Sequence, residues 1–349
     1  MIWFWIGFFS LIALLLFLDL GVLHRKATEP TFASAVGWTI GWVCVGLSFS
    51  GVVYLMYENH WLGIRLLVGG KPQSGADAAV VYLSAYLLEQ ALSVDNIFVI
   101  SLLFRSFRVP NRYQHRVLFW GIMGAIVFRV IMLAGGAYLA KQFDWIFYVF
   151  GGYLAWQGAK LLRGENEDED GSIDKSFAVR ALRRVVRIVD GDHGGHFLVK
   201  VDGRYALTTV AVCLIVVELT DVVFALDSIP AVLSVSQETF IMVTSNIFAI
   251  MGLRSLYFVL AGAMAKFKYL KIALALLLIL IGVKMILHGH IHIPHLISLA
   301  AIAGIITTGV LASIFLGGDE PTASPEAADA AKPADAAKPA DAERHEPGK

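Results

Sequence analysis

The chain lacks most of what soluble enzymes are built from. Only two cysteines occur in 349 residues, Cys44 and Cys213, and both fall inside apolar runs. Neither a disulfide framework nor a thiolate metal site is expected, and both read as small buried thiols. There is no His-Glu-x-x-His pair, nucleophile elbow or phosphate-binding glycine loop. Hence no catalytic residue, no cofactor and no enzymatic activity are expected. Charged residues make up only 16% of the chain and cancel to a net charge of zero, so total charge says nothing about partners; no nucleic-acid partner is expected. The first apolar run also lacks a basic stretch before it and a small-x-small cleavage site after it. It therefore reads as an anchor that stays, not a secretory signal.

Apolar sequence is what the chain has in abundance. Hydrophobic residues make up 57% and the mean hydropathy is +0.69, and apolar runs of membrane-crossing length recur throughout. An all-α polytopic membrane protein is expected, with about nine transmembrane helices at roughly 2–20, 33–56, 79–104, 116–140, 145–162, 206–230, 240–264, 270–288 and 295–316. With the N-terminus outside, eighteen Lys and Arg residues fall on the inner side and three (Arg65, Lys71, Lys141) on the outer. Omitting Lys175 to Lys200 of the long loop still leaves twelve against three, so the positive-inside rule places the C-terminus in the cytoplasm.

Two segments stand outside the spans. The cytoplasmic loop 163–204 opens on an acidic run from Glu165, continues through basic residues Arg180 to Arg187, and ends around Asp202-Gly203. That pair between alternating stretches signals a hairpin, expected beside a small amphipathic helix. Asp190, Asp192, His193 and His196 there are either metal ligands or parts of a solvated loop. The tail 318–349 repeats Ala, Pro, Asp and Lys and cannot bury a core, so disorder is expected.

The informative residues are acids within the apolar runs. Glu89 and Asp95 lie six apart in one span, and Asp221 and Asp227 lie six apart in another, with Glu218 added. Acids at bilayer depth cost several kcal/mol and are functional by default. Sliding 79–162 onto 205–288 aligns these pairs, then Arg129 with Arg254, then Gly158-x-Lys160 with Gly282-x-Lys284. Each copy holds three spans, so two inverted three-helix repeats are expected after two N-terminal helices (1–78), with one more helix at 289–317. In inverted-repeat transporters the site lies between the repeats near the midplane. A six-residue step turns a helix by about 600°, leaving each pair roughly 120° apart around its axis. A broken or bent helix is therefore expected between the paired acids, with Pro230 as one cause.

The candidate metal ligands are Glu89, Asp95, Glu218, Asp221 and Asp227, with Asn96, Ser228 and Asn246 as neutral oxygen donors. All-oxygen sites suit hard cations such as manganese, magnesium or calcium. Arg129 and Arg254 are candidate supporting ion-pair partners that position the acids; Lys160 and Lys284 are further potential partners. His288, His290 and His292, with His295 nearby, lie at the expected outer mouth, where they are either metal contacts or an interfacial polar turn. Asp19, near the inner end of the first span, caps it beside Arg25 or guards access from inside.

The segments Glu89-Gln-Ala-Leu-Ser-Val-Asp-Asn-Ile-Phe-Val99, Glu218-Leu-Thr-Asp-Val-Val-Phe-Ala-Leu-Asp-Ser-Ile-Pro-Ala-Val232 and Thr244-Ser-Asn-Ile-Phe-Ala-Ile-Met-Gly-Leu-Arg254 resemble signature segments of the TerC/Alx family of integral membrane proteins. Asp19-Leu-Gly-Val-Leu-His-Arg-Lys26 is similar to that family as well, and the resemblance covers about residues 10–316. It implies a multi-pass protein of the bacterial inner membrane that exports divalent cations, with Mn2+ as the transported ion of the Alx branch. It also implies alternatives: tellurite resistance, metalation or folding of exported proteins, and export of a small zwitterion as in the lysine-exporter type. The partners expected are a divalent metal ion, the lipid bilayer, and protons as coupling ion.

The orientation is directly testable. A fluorescent protein fused after residue 317 should fold and fluoresce, and alkaline phosphatase fused at the same point should stay inactive. The opposite result would invert the topology.

Overall fold

A computed structural model describes residues 2–17, 32–61, 67–68, 71–72, 74–143, 145–163, 188–189, 191, 194–201, 203–261, 268–287 and 293–316. The expectations for Asp19, for the acidic run and amphipathic helix of the inner loop, for Asp190, Asp192 and His193, for His288, His290 and His292, and for the tail lie outside them. The Asp95 side chain also lies outside the described set, although its backbone belongs to a helix. The chain divides into a unit over Met1–Gly317 and a second over Gly318–Lys349.

The first unit is an all-α bundle. Its helices are α1 (Ile2–Phe17), α2 (Phe32–Glu58), α3 (Gly75–Ser106), α4 (Asn111–Gln142), α5 (Ile146–Leu162), α6 (Thr209–Val235), α7 (Thr239–Met251), α8 (Leu253–Ala261), α9 (Lys268–Ile286) and α10 (His295–Leu316). Six of them are long and apolar enough to cross a membrane, and the bent pair α7 and α8 makes a seventh if it is one span. The remaining two expected spans are α1, of 16 residues, and α5, of 17. At 1.5 Å per residue α5 is about 25 Å long, just under the hydrocarbon thickness of roughly 30 Å. Large apolar side chains such as Val127, Ile131, Trp156 and Val223 stand exposed on the bundle surface, as lipid contact requires. Exposed Tyr138, Phe143 and Trp145 cluster where α4 ends and α5 begins, a position suited to an aromatic belt.

Local signals set several helix ends. Ser74 accepts from the Asp77 backbone N–H while Asp77 reaches back to the Ser74 N–H, a reciprocal cap at the start of α3. Thr208 caps α6 by accepting from Ala211. Just before it, β2 (Leu198–Val201) and β3 (Arg204–Thr208) form the hairpin that Asp202-Gly203 signals, with Gly203 at φ 78°. That left-handed backbone is what glycine supplies at low cost. A short β1 (Ile188–Val189) adds to β3 in parallel.

The expected break within the acid-bearing helices does not occur. Both α3 and α6 run as continuous helices through their acids, with Pro230 inside α6. A proline in a membrane helix removes one backbone bond, and neighbouring packing tolerates the loss. The bend falls elsewhere, 43° between α7 and α8 at Gly252.

In lipid, helices associate through close packing more than through apolar burial, so small residues mark the interfaces. A Cβ on Gly158 would lie 2.6 Å from the Ala275 carbonyl oxygen and 3.1 Å from the Ile279 N; one on Gly282 would lie 2.6 Å from both the Gly151 carbonyl oxygen and the Ala155 N. Thus α5 and α9 cross antiparallel, almost backbone to backbone. Contacts between α4 and α6 instead ascend together, Gly121 with Val217, Gly124 with Glu218 and Gly136 with Ile229, so these two helices run parallel.

Gly282→Leu must displace the α5 backbone at Gly151 and Ala155, with Ala155 Cβ beside it, and should cost roughly 1–3 kcal/mol of stability or more. Gly152→Leu, with nothing within 4 Å of its Cβ position, should be near neutral. Thermal unfolding of the two purified variants in detergent compares them directly.

Candidate functional site

Helix continuity decides which acids meet. Glu89 of α3 is fully buried and forms an ion pair with Arg129 of α4, itself 2% exposed. The same guanidinium forks onto Asp221 of α6, with Nε to Oδ2 at 3.2 Å and Nη2 to Oδ1 at 2.9 Å. One arginine therefore joins both sequence repeats through a bidentate charge-assisted contact, the geometry that guanidinium suits and ammonium does not. Arg254, its counterpart by the sequence alignment, is buried as well.

Glu218 lies one turn before Asp221 on the same helix and turns its carboxylate onto the backbone of α4 at Gly124. A Cβ at position 124 would overlap that carboxylate, so glycine is what admits it. Asp227 points elsewhere. Six residues past Asp221 on an unbroken helix, it faces α5, with the Tyr153 hydroxyl beside it. Gln157 donates its Nε2 protons to Asp227 Oδ1, at a long 3.5 Å, and to the Tyr153 oxygen at 2.9 Å.

The neutral candidates are also interior. Asn96, Ser228 and Asn246 are buried at 5%, 3% and 1% exposure. Among the described residues, both amide atoms of Asn246, the Ser93 and Ser228 hydroxyls, and Glu218 Oε2 have no hydrogen-bond partner. Each such group costs about 1–3 kcal/mol, and a concentration of them in one interior asks for an explanation. No group of three His, Cys, Asp or Glu side chains among the described residues converges as a metal shell. Arg129 lies between Glu89 and Asp221, and the unbroken helix turns Asp227 toward a different neighbour.

Three participants escaped the sequence reading: Gly124, Tyr153 and Gln157. A signal for the last two was present, since polar Tyr153, Gln157 and Lys160 recur at helical spacing within an otherwise apolar span. Gly124 carried none, because its role depends on which helix lies opposite.

The family model for the integral membrane protein TerC family matches residues 74–319. The chain belongs to the TerC family. It is 39% identical over 323 residues to an uncharacterized membrane protein of Myxococcus xanthus, covering 93% of this chain and 95% of that one. To Alx of Escherichia coli K12, proposed to be a membrane-bound redox modulator, it is 41% identical over 304 residues, covering 86% and 91%. To a membrane protein of Rickettsia felis it is 38% identical over 310 residues, covering 89% and 97%. No solved structure matches. The chain is thus a multi-pass TerC-family membrane protein.

Arg129→Ala leaves Glu89 and Asp221 buried without their shared counter-charge and should cost roughly 3–5 kcal/mol. Arg129→Lys should recover only part, and the triple change Glu89→Gln, Arg129→Met, Asp221→Asn should recover more. The yield of monodisperse protein in size-exclusion chromatography, with its thermal midpoint, reads all three.

Proposed function

We propose that this protein is a secondary transporter exporting a hard divalent cation, Mn2+ first among them, across the bacterial inner membrane in exchange for protons. The observation that carries this reading is an excess of acid in an apolar interior. With Asp95 added by sequence, Glu89, Glu218, Asp221 and Asp227 make five carboxylates against four cations, the buried guanidiniums of Arg129 and Arg254 and the partly buried ammoniums of Lys160 and Lys284. Such an excess demands cations, whether protons or metal ions. The unpartnered oxygens of Ser93, Ser228, Asn246 and Glu218 are the hard neutral and anionic donors that such ions prefer.

Arg129 gives the reading a mechanism. It supplies the charge that Glu89 and Asp221 require when no substrate is bound, and a divalent cation competes with it for them. A cell interior near −100 mV opposes export of a divalent cation by about 4.6 kcal/mol, at roughly 2.3 kcal/mol per charge. Protons displaced from the acids by the arriving ion provide the coupling without a separate proton site. Two features support a transporter built from inverted repeats. The contact of Gly158 with Ala275 and Ile279 becomes that of Gly282 with Gly151 and Ala155 when residue numbers shift by 124, as a two-fold relation between α5 and α9 demands. The parallel course of α4 and α6 likewise follows if one return crossing lies between them. The nine-span count, the outside N-terminus and the cytoplasmic C-terminus belong to the same reading.

Proteoliposomes holding the purified protein should accumulate Mn2+ faster under an imposed pH gradient. Asp227→Asn and Glu218→Gln should each lower that flux at least tenfold while leaving reconstitution yield unchanged. Flux indifferent to the pH gradient would remove the coupling; near-normal flux in both variants would remove these acids from the pathway.

A further inference from the structure

The second acid of α6 lies against polar side chains of α5 whose counterparts under the sequence repeat are apolar. Asp227 of α6 accepts from the Gln157 amide of α5, with the Tyr153 hydroxyl beside it and itself accepting from Gln157. The 124-residue shift that exchanges the contacts of α5 and α9 carries Tyr153 onto Leu277 and Gln157 onto Ile281, both buried and apolar. At these two positions the polar pair therefore stands on α5 and not on α9. It is also firmly placed: Gly151, Ala155 and Gly158 turn one face of α5 onto the backbone of α9, and Tyr153 and Gln157, two residues out of step, project from nearly the opposite face.

We infer that Asp227, Tyr153 and Gln157 form a binding station for a hard divalent cation, separate from the Arg129-bridged acids, and that Tyr153 and Gln157 set its ion preference. This rests on the cation-export reading. Asp227 contributes the anionic oxygen, the Tyr153 hydroxyl a neutral one, and the Gln157 carbonyl, which neither of its two observed bonds uses, another. The unbroken helix α6 turns Asp227 roughly 120° from Asp221, so the guanidinium that satisfies Asp221 is directed elsewhere. A cation at this station therefore need not displace Arg129. The bonds that Gln157 donates to Tyr153 and Asp227 orient the carboxylate in advance, as outer partners do at metal sites.

The test is Mn2+ flux in proteoliposomes as a function of concentration. Tyr153→Phe and Gln157→Leu should each raise the KM for Mn2+ roughly 10- to 100-fold and leave the maximal rate within about twofold. Gln157→Glu, which keeps an oxygen ligand, should return KM to near the starting value. Gln157→His should raise the Zn2+ to Mn2+ preference about tenfold, since imidazole suits the softer ion. If Gln157→Leu does not fold, Tyr153→Phe and Gln157→His carry the test alone. Unchanged KM and unchanged preference in a protein that transports Mn2+ would overturn the station and leave the export reading intact. A starting protein that moves none of Mn2+, Zn2+, Mg2+ or Ca2+ would overturn both.

Discussion

In the interior of this bundle a carboxylate has no water to solvate it, so every buried acid constrains the helices around it. Arg129 meets that constraint for two acids at once, pairing with Glu89 and forking onto Asp221. Three helices are tied at one point, α3, α4 and α6. Their approach depends on it: Gly121, Gly124 and Gly136 bring α4 against α6 along a parallel course, and the guanidinium sets how the two align. A buried charge triad adds little net stability over an apolar replacement, but losing one member is costly. Such a group is better understood as fixing an arrangement than as strengthening it.

A near-symmetric backbone relation is seen at the crossing of α5 and α9, which exchanges its contacts under a single sequence offset. The side chains depart from that equality at two places. Glu218, against Gly124, corresponds in the sequence alignment to Tyr86, whose ring packs on Gly46 of α2. Tyr153 and Gln157 correspond to Leu277 and Ile281. Both departures put extra polarity around the acids of α6.

Much of this was legible in the chain. Apolar runs marked the helices, Ser74 and Thr208 mark helix starts by chemistry local to a few residues, and Asp202-Gly203 marked the hairpin. The acids and Arg129 stood out because each is expensive where it lies, so its position alone signals a role. The break expected between the paired acids does not form, for an instructive cause. The 120° between Asp221 and Asp227 was correct, but the assumption that both face one site was not. The helix stays whole, Asp221 goes to Arg129 of α4 and Asp227 to Tyr153 and Gln157 of α5, while the bend falls at Gly252.

The sequence by itself determined the membrane class, the helix segments and the list of charged side chains that must find partners in the interior, because hydropathy and the cost of buried charge are properties of residues and short spans. Only the tertiary structure decided who those partners are. Whether Arg129 reaches Asp221, whether position 124 must be glycine, and whether Asp227 meets a phenol and an amide all depend on which helix lies opposite and at what height. Those are relations between residues 70 to 94 positions apart, and the spacing along one helix does not contain them.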